Sequence, residues 1–430
     1  MDARALDIQD MGKRAFLTDL FETAVAAADP LEALREHLPD APKGRLVVVG
    51  AGKGAAHLAA AFETLWAEKH RDKPISGVVV TRYGYAVPCR HIKVIEAAHP
   101  VPDVAGLRAA EALMTAVSGL SADDLVVALM CGGGSSLLPA PAGDLTLADE
   151  QALNEALLAS GAPIAVMNAL RKQFSTIKGG RLAAAAHPAR VVSLVVSDVP
   201  GDDPAQVASG PTVASAVPRD AARALLDSYR IVLTPALLAH LEQPDDGLLP
   251  DDCIFRNTET RVIASARLSL EAAAGRARAA GLAAVILSDA IEGEARDIGL
   301  MHAAIAREGP FAAPAVILSG GETSVTLRAK GRGGRNTEFL LSFAQAIDGV
   351  AGIVALAADT DGIDGSEDNA GAFADGTSAA RLRALGMDAR SVLARNDAWG
   401  AFDALGDLFV TGPTGTNVND FRAILLGDVP

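Results

Sequence analysis

Residues 46–56 read LVVVGAGKGAA, four apolar residues that break into glycine, alanine and a lone lysine. A continuous apolar run, rather than strict alternation, marks a strand buried on both faces, and the glycines after it suit a turn into a helix. The same rhythm recurs at Val78–Thr81, Ile92–Ile95, Leu125–Met130, Val191–Val196, Ala283–Leu287, Ala315–Leu318, Ile353–Ala357 and Leu408–Val410. Stretches of helical character separate many of these runs, so the pattern predicts an α/β architecture with helices covering parallel sheets. Upstream, KRAFLTDLFETAVAAA (13–28) sets Phe16, Leu17, Leu20, Phe21, Ala24 and Val25 at helical spacing, an amphipathic helix whose apolar face needs a partner. One sheet taking every strand would be large. The Pro-, Gly- and Asp-rich stretch QPDDGLLPDD (243–252) therefore serves as the linker between domains at 1–245 and 246–430.

Composition narrows the partners. The chain has 430 residues, with 53 acidic against 38 basic side chains and a formal charge of −15, so its long-range field repels nucleic acid and anionic membranes. Any anionic ligand must meet locally clustered bases. Aromatic residues are only 4 % of the chain, which disfavours a base-stacking platform. No apolar run approaches a membrane span, and Cys89, Cys131 and Cys253 lack paired metal or redox spacing; a reduced, cytoplasmic setting is expected.

Six apolar strands run into polar, glycine-rich loops: GAGKGAA (50–56), CGGGSS (131–136), SDVPGDD (197–203), SGGETS (319–324), ADTDGIDGSED (358–368) and TGPTGTN (411–417). Loops at the carboxyl ends of such strands are where α/β sheets bind ligands, so a composite site is expected. GAGKGAA lacks the spacing of a P-loop; it meets the loose dinucleotide pattern, but the next strand ends in Arg82 where a ribose-binding acid belongs, which leaves NADP possible but removes the better half of the fingerprint. Lys53 is placed to put a point charge on a phosphoryl group, although a solvated helix-start lysine accounts for it equally well. CGGGSS has Leu137 where a nucleophile elbow needs glycine, so Gly132, Gly133, Gly134, Ser135 and Ser136 fit an anion-binding nest better than a hydrolase.

NALRKQFSTIKGGRLAAAA (168–186) sets Arg171, Ser175 and Lys178 on one helical face beside Lys172, a basic patch that Gly179–Gly180 interrupts. Its complement is acidic: Asp198, Asp202 and Asp203 after one strand, Asp359, Asp361, Asp364, Glu367 and Asp368 after another. Magnesium on a nucleotide needs only one or two carboxylates, so at least one of these loops is expected to use its aspartates for Asx-turns alone. GRGGRNTEF (331–339) brings Arg332 and Arg335 to the start of a helix, where an arginine fork can stabilise a transferring phosphoryl group. His99, in HPVPD (99–103), reads as part of a rigid turn.

Taken together, GAGKGA, HPVPD, CGGGSS, NALRKQFSTIKGGRLA, VSDVPGDDPAQVASGPT, SGGETSVTL, GRGGRNTEF, ADTDGIDGSEDNAGAF and TGPTGTNVND resemble the class II glycerate kinase family, also called the glycerate 2-kinase or MOFRL family, over nearly the whole chain. The resemblance implies an N-terminal Rossmann-like domain with helices on both faces of a parallel sheet, a smaller C-terminal α/β domain of MOFRL type, and an active site between them. It implies ATP-dependent phosphorylation of D-glycerate to 2-phosphoglycerate, with Lys53 and Arg335 as the active-site residues. The alternative is the label members of this family often carry, NAD(P)H-dependent hydroxypyruvate reductase; a non-catalytic sugar-acid or nucleotide sensor is a third class, which the acidic strand ends disfavour.

The site that follows has these parts. Gly132–Ser136 hold the glycerate carboxylate with Lys172 or Lys178, and Asp198 accepts the C2 hydroxyl proton or holds magnesium. Asp359 and Asp361 are further magnesium candidates, and Lys53 and Arg335 neutralise the transferred group. Gly52, Glu322, Thr414, Thr416 and Asn417 complete the binding set. ATP and Mg²⁺ are the cofactors and D-glycerate the partner, with no nucleic acid and no membrane; a homodimer is left open.

Overall fold

A computed structural model describes residues 3–71, 73–215, 217–244 and 247–429, the side chains of residues 3–11 and Pro200 excepted. The chain divides into two compact units, one of Pro30–Ile263 and one of Ala264 onward together with the segment up to Asp29. The linker expected at 245/246 falls on Asp245 and Asp246, outside the described residues. The division between units lies further on, at Ile263/Ala264.

The first unit holds β1 (Leu46–Ala51), β2 (Ile75–Arg82), β3 (Ile92–Ala97), β4 (Leu125–Cys131), β5 (Arg190–Val196) and β6 (Thr258–Ala264), in the order β3-β2-β1-β4-β5-β6. β1 pairs in parallel with both β2 and β4. Strand order therefore reverses between β1 and β4, and the crevice beyond the carboxyl ends of those two strands is where such sheets bind ligands. Every residue of β1 and β4 is buried, as their unbroken apolar runs require. Val49, Ala51, Ala128 and Met130 pack with Leu113, Val117 and Leu182 of the covering helices. A fully buried leucine such as Leu113 contributes about 1.5–3 kcal/mol of hydrophobic stabilisation.

The second unit holds β7 (Ala283–Ile286), β8 (Gly293–Glu294), β9 (Ala315–Gly321), β10 (Thr323–Ser324), β11 (Ile353–Asp359), β12 (Gly371–Asp375), β13 (Leu408–Phe409) and β14 (Asp420–Leu426). β10 and β8 form a small ribbon; the main sheet runs β13-β12-β11-β14-β9-β7. The expectation of parallel sheets fails here. Within the main sheet, among the described residues, only β7 and β9 pair in parallel, and β14 lies antiparallel between β11 and β9. The connection from β11 to β12 carries no helix, so the chain returns antiparallel instead of crossing over.

The amphipathic helix at the N-terminus belongs to this second unit. Phe16, Leu17, Leu20, Phe21 and Ala24 are buried against Leu270, Ala273 and Ala277 and the strand residues Val316, Leu356 and Phe421. Arg14 adds an ion pair to Asp407 at 2.7 Å. Assigning residues 1–29 to the N-terminal domain is corrected accordingly, since the apolar face finds its partner on the later sheet.

Candidate active site

In the first unit the residues gather at the ends of β1, β4 and β5. Gly52 has φ +137°, and a Cβ there would overlap the Sγ and carbonyl of Cys131, so only glycine lets β1 end this close to β4. Lys53 is then pinned from both sides: its N–H donates to the Gly132 carbonyl at 2.9 Å, and its carbonyl accepts from Thr81 Oγ1 at 2.9 Å. Among the described residues the Lys53 ammonium takes no hydrogen bond or ion pair. Gly133, at φ +79°, leaves room for Lys53 and His99 side by side: a Cβ there would sit 2.9 Å from His99 Nε2 and 3.1 Å from Lys53 Cγ. Burial, and then the charges of Lys53 and Arg82, push His99 down to about 4, so its imidazole is neutral at neutral pH. His99 is thus a residue of the site, which its proline-rich motif did not reveal.

Asp198 lies directly over Gly132, where a Cβ would overlap its carboxylate. The Cys131 thiol beneath is pushed up to about 12, chiefly by burial, and is no nucleophile. The two serines of CGGGSS are engaged within the protein. Ser135 Oγ lies 2.8 Å from Ser209 Oγ, which donates to Asn168 Oδ1 at 2.9 Å, while Ser136 Oγ donates to the Gly133 carbonyl at 3.2 Å. Gly134 is needed for packing, a Cβ there falling 2.6 Å from Ala208 Cβ.

The basic patch on one helical face does not form. The helix Ile164–Gln173 stops, Gly179 and Gly180 take φ +64° and +87°, and a second helix begins at Arg181. Lys178 sits between the two, 1 % exposed, with its ammonium 2.6 Å from Glu150. Lys178 is therefore a buried structural cation rather than the ligand-facing base expected of it, because Glu150 already satisfies its charge. Lys172 differs: it is 5 % exposed with no ion pair among the described residues, and burial lowers its pKa against the opposing charge of Asp203. Asp203 itself accepts from the Ala205 N–H at 2.9 Å, an Asx-turn.

In the second unit the focus is Arg335, first residue of the helix Arg335–Ala346. Asp364 caps that helix from a distance, accepting from the N–H of Asn336 at 2.9 Å and of Thr337 at 2.8 Å. Gly334 allows this approach, since a Cβ there would overlap Asp364. Arg335 then faces three strand ends. Its Nε donates to Asp420 at 2.6 Å, one terminal nitrogen to Glu322 at 2.7 Å and the other to Asp359 at 2.6 Å. Register explains the convergence, for Asp420 pairs with Gly321 on one side and Asp359 on the other. Arg332 is used differently, its guanidinium stacking 4.0 Å from the Trp399 ring centroid.

Burial works against a charged Arg335, but Asp420, Asp359 and Glu322 outweigh it and raise its pKa. Burial, with the charges of Asp361 and Asp420, pushes Asp359 up to about 8 even though Arg335 pulls it the other way. Asp361 accepts from the Ile363 N–H at 2.9 Å and so spends one oxygen on its own turn. Thr414 donates its hydroxyl to the Thr360 carbonyl and its N–H to the Asp361 carbonyl at 3.1 Å. Asn417 accepts from the Asn419 N–H at 3.1 Å, and Thr416 donates to the Ala28 carbonyl at 3.1 Å. These three residues brace the acidic loop and the N-terminal helix.

Residues 16–242 match a family model described as a domain of unknown function (DUF4147), and residues 315–420 match the MOFRL family. A crystal structure of glycerate kinase from Thermotoga maritima aligns with a TM-score of 0.88 at 36 % identity, covering 97 % of this chain and 100 % of that one. The chain belongs to the glycerate 2-kinase, or MOFRL, family. Among sequences of this family, a D-glycerate 2-kinase of Thermotoga maritima is 36 % identical, with 94 % of this chain and 95 % of that protein aligned. A protein of Agrobacterium vitis named as a hydroxypyruvate reductase is 53 % identical, with 97 % and 95 % aligned.

Asp420 and Arg422 in this glycerate 2-kinase family chain escaped the sequence reading, as did Glu150. One signal was available: DFRAILL places two opposite charges at positions i and i+2, on the same face of an otherwise apolar strand.

Proposed function

We propose that the chain is an ATP-dependent glycerate 2-kinase that forms 2-phosphoglycerate from D-glycerate. The observation that carries this reading is its match to a glycerate kinase of known structure along 97 % of its length. The residues at the strand ends supply matching chemistry. The Lys53 ammonium, without a partner among the described residues, is a point charge suited to a phosphoryl oxygen, and Arg335 is a planar fork with five N–H donors, three of them engaged. Lys172, buried and without an ion pair among the described residues, is the base for the glycerate carboxylate.

In the proposed reaction the C2 hydroxyl oxygen attacks the γ-phosphorus. An oxygen–phosphorus bond forms there as the bond from that phosphorus to the β,γ-bridging oxygen breaks, releasing ADP. The hydroxyl proton passes to Asp198, and Lys53 and Arg335 neutralise charge on the group in transit. His99, neutral beside Lys53, orients the hydroxyl without adding charge.

The residues fit a magnesium ion that arrives with the nucleotide. Among the described residues no group of three or more His, Cys, Asp or Glu side chains forms a protein cage, whereas one or two carboxylates suffice when phosphates and water complete the shell. With Asp198 given to the hydroxyl proton, Asp359 and Asp361 are the residues that would hold it; Asp198 is the alternative holder where it does not take the proton. The crowding of Asp359 by other carboxylates is an environment that favours a cation. When bound, the ion supplies charge neutralisation on the β- and γ-phosphates.

The reductase reading has one feature in its favour, the dinucleotide-type strand order. Against NADH, β2 ends in Arg82 where a ribose-binding acid belongs; against NADPH, that guanidinium is already engaged, lying 3.8 Å from the Tyr85 ring centroid and donating to the Tyr85 hydroxyl at 2.6 Å. Purified protein given D-glycerate, ATP and magnesium should release ADP and yield 2-phosphoglycerate by NMR. Oxidation of NADH or NADPH by hydroxypyruvate, with no ADP formed in the kinase mixture, would reverse the assignment.

A further inference from the structure

The three carboxylates around Arg335 are unequal. The Glu322 side chain is 57 % exposed, Asp359 is 8 % exposed, and Asp420 is fully buried. Exposure decides what each can do, because a solvated glutamate on a loop can leave its partner while a sealed aspartate cannot move without opening the core.

Asp420 is also held by more donors than the other two. One oxygen accepts from Arg335 Nε at 2.6 Å and Asn336 Nδ2 at 2.8 Å. The other accepts from the Thr323 N–H at 3.3 Å and from a terminal nitrogen of Arg422. Arg422 is itself fully buried, donating to Thr323 Oγ1 at 3.1 Å, with its guanidinium carbon 5.2 Å from the Phe339 ring centroid. Both oxygens of Asp420 are therefore committed inside the protein. A carboxylate so placed reaches neither substrate nor metal, and its effect on chemistry must pass through Arg335.

We propose that Asp420 is the positioning residue of this active site: with Asn336 and Arg422 behind it, it fixes the plane of the Arg335 guanidinium so that the donors left over point at the transferred phosphoryl group. The inference rests on the kinase reading. It assigns Asp420 no proton transfer and no ligand contact. A guanidinium is planar of itself, and a rigid acceptor at Nε fixes where that plane points, the orientation that recognition of two phosphoryl oxygens requires. A misplacement of about 1 Å in such a group can cost on the order of 10²-fold in rate.

The test is a double-mutant cycle on kcat, corrected for folded fraction by thermal unfolding. Asp420→Asn should lower kcat about 100-fold when Arg335 is present, yet less than about threefold in the Arg335→Ala background, because its only route to the chemistry is gone. Asn336→Ala, a milder change that removes one of the two donors to that oxygen of Asp420, should show the same pattern at about tenfold, and it serves if Asp420→Asn does not fold. Equal losses in both backgrounds would mean that Asp420 acts independently of Arg335, and no loss in either would mean that it supports the fold alone; both would overturn the proposal. A second readout does not depend on kinase activity: guanidinium at roughly 10 mM should raise the unfolding midpoint of Arg335→Ala by binding the vacated cradle, and Asp420→Asn or Asn336→Ala in that background should abolish the rise. A rise that survives both substitutions counts against Asp420. Wild-type protein that phosphorylates no glycerate would instead sink the kinase reading while the guanidinium experiment still judged the cradle, whereas Arg335→Ala at full turnover would leave the kinase reading standing and overturn the proposal.

Discussion

The ammonium of Lys178 and the carboxylate of Glu150 meet at 2.6 Å with side chains 1 % and 7 % exposed. Glu150 also accepts from the Ala140 N–H at 3.0 Å, so this pair ties the segment before the helix Arg181–Ala186 to the loop after β4. Breaking a buried pair from one side leaves a charge without a partner, which typically costs about 3–5 kcal/mol. Lys178→Ala should therefore lower stability by that order in urea titrations, and Lys178→Met combined with Glu150→Leu should recover most of the loss. Unchanged stability in the single variant would show that the pair is open to water.

Lys53 makes the opposite case. Its backbone is fixed and its ammonium has no partner among the described residues, so Lys53→Ala should change stability by no more than about 0.5 kcal/mol. Its turnover should nonetheless fall further than that of Asp198→Asn. Electrostatic stabilisation is usually the largest contribution to such chemistry, whereas general-base help is worth about 10²–10⁴. Steady-state kinase rates of the two variants decide the order. Faster turnover in Lys53→Ala than in Asp198→Asn would exchange their importance.

Much of the fold was legible because β1, β4, β5, β9 and β11 are continuous apolar runs, and buried parallel or central strands cannot be written otherwise. The strands that escaped share a different trait. TETRVIA in β6 and DFRAILL in β14 carry charges, and GAFAD in β12 is small and ends in aspartate, so none reads as an apolar run. Arg422 lies in the core only because Asp420 and Thr323 satisfy it, a fact of tertiary pairing that no periodicity contains. The candidate site divides the same way. Lys53 and Arg335 were visible from glycine-rich loops whose glycines prove necessary for close backbone approach. Lys172 and Lys178 are close neighbours on one basic stretch, and only the structure shows that Glu150 claims the second.

Asp364 offers a check on how Arg335 is held. Its carboxylate takes the N–H groups of Asn336 and Thr337 and the Thr337 hydroxyl, the last at 2.8 Å, at the start of the helix that Arg335 begins. Losing a helix cap usually costs about 0.5–2 kcal/mol, and buried donors left unpaired add to that. Asp364→Ala should fall at or above the upper end of this range in denaturant titrations and should lower kcat as the first helical turn loosens. Full stability would mean that water replaces the carboxylate without cost.

His302 predicts a pH dependence of stability. The ring is fully buried, with Nδ1 2.9 Å from the Ile298 carbonyl and Nε2 2.9 Å from Ser319 Oγ. A carbonyl can only accept, so Nδ1 carries the proton and Nε2 accepts from the serine hydroxyl. Burial, reinforced by the charge of Arg422, lowers its pKa from 6.5 to about 4 against the opposing effect of the Ile298 carbonyl. Between those two values the unfolded chain binds a proton that the folded chain refuses. Stability from this residue is thus fully present above pH 6.5 and is lost as pH falls toward 4, at up to about 1.4 kcal/mol per pH unit. His302→Gln, which cannot titrate, should be less stable at pH 7 for its poorer packing, but its urea midpoint should fall less steeply over that window. Parallel pH profiles for the two proteins would show that the imidazole is protonated in the fold and that the neutral tautomer assigned to it is wrong.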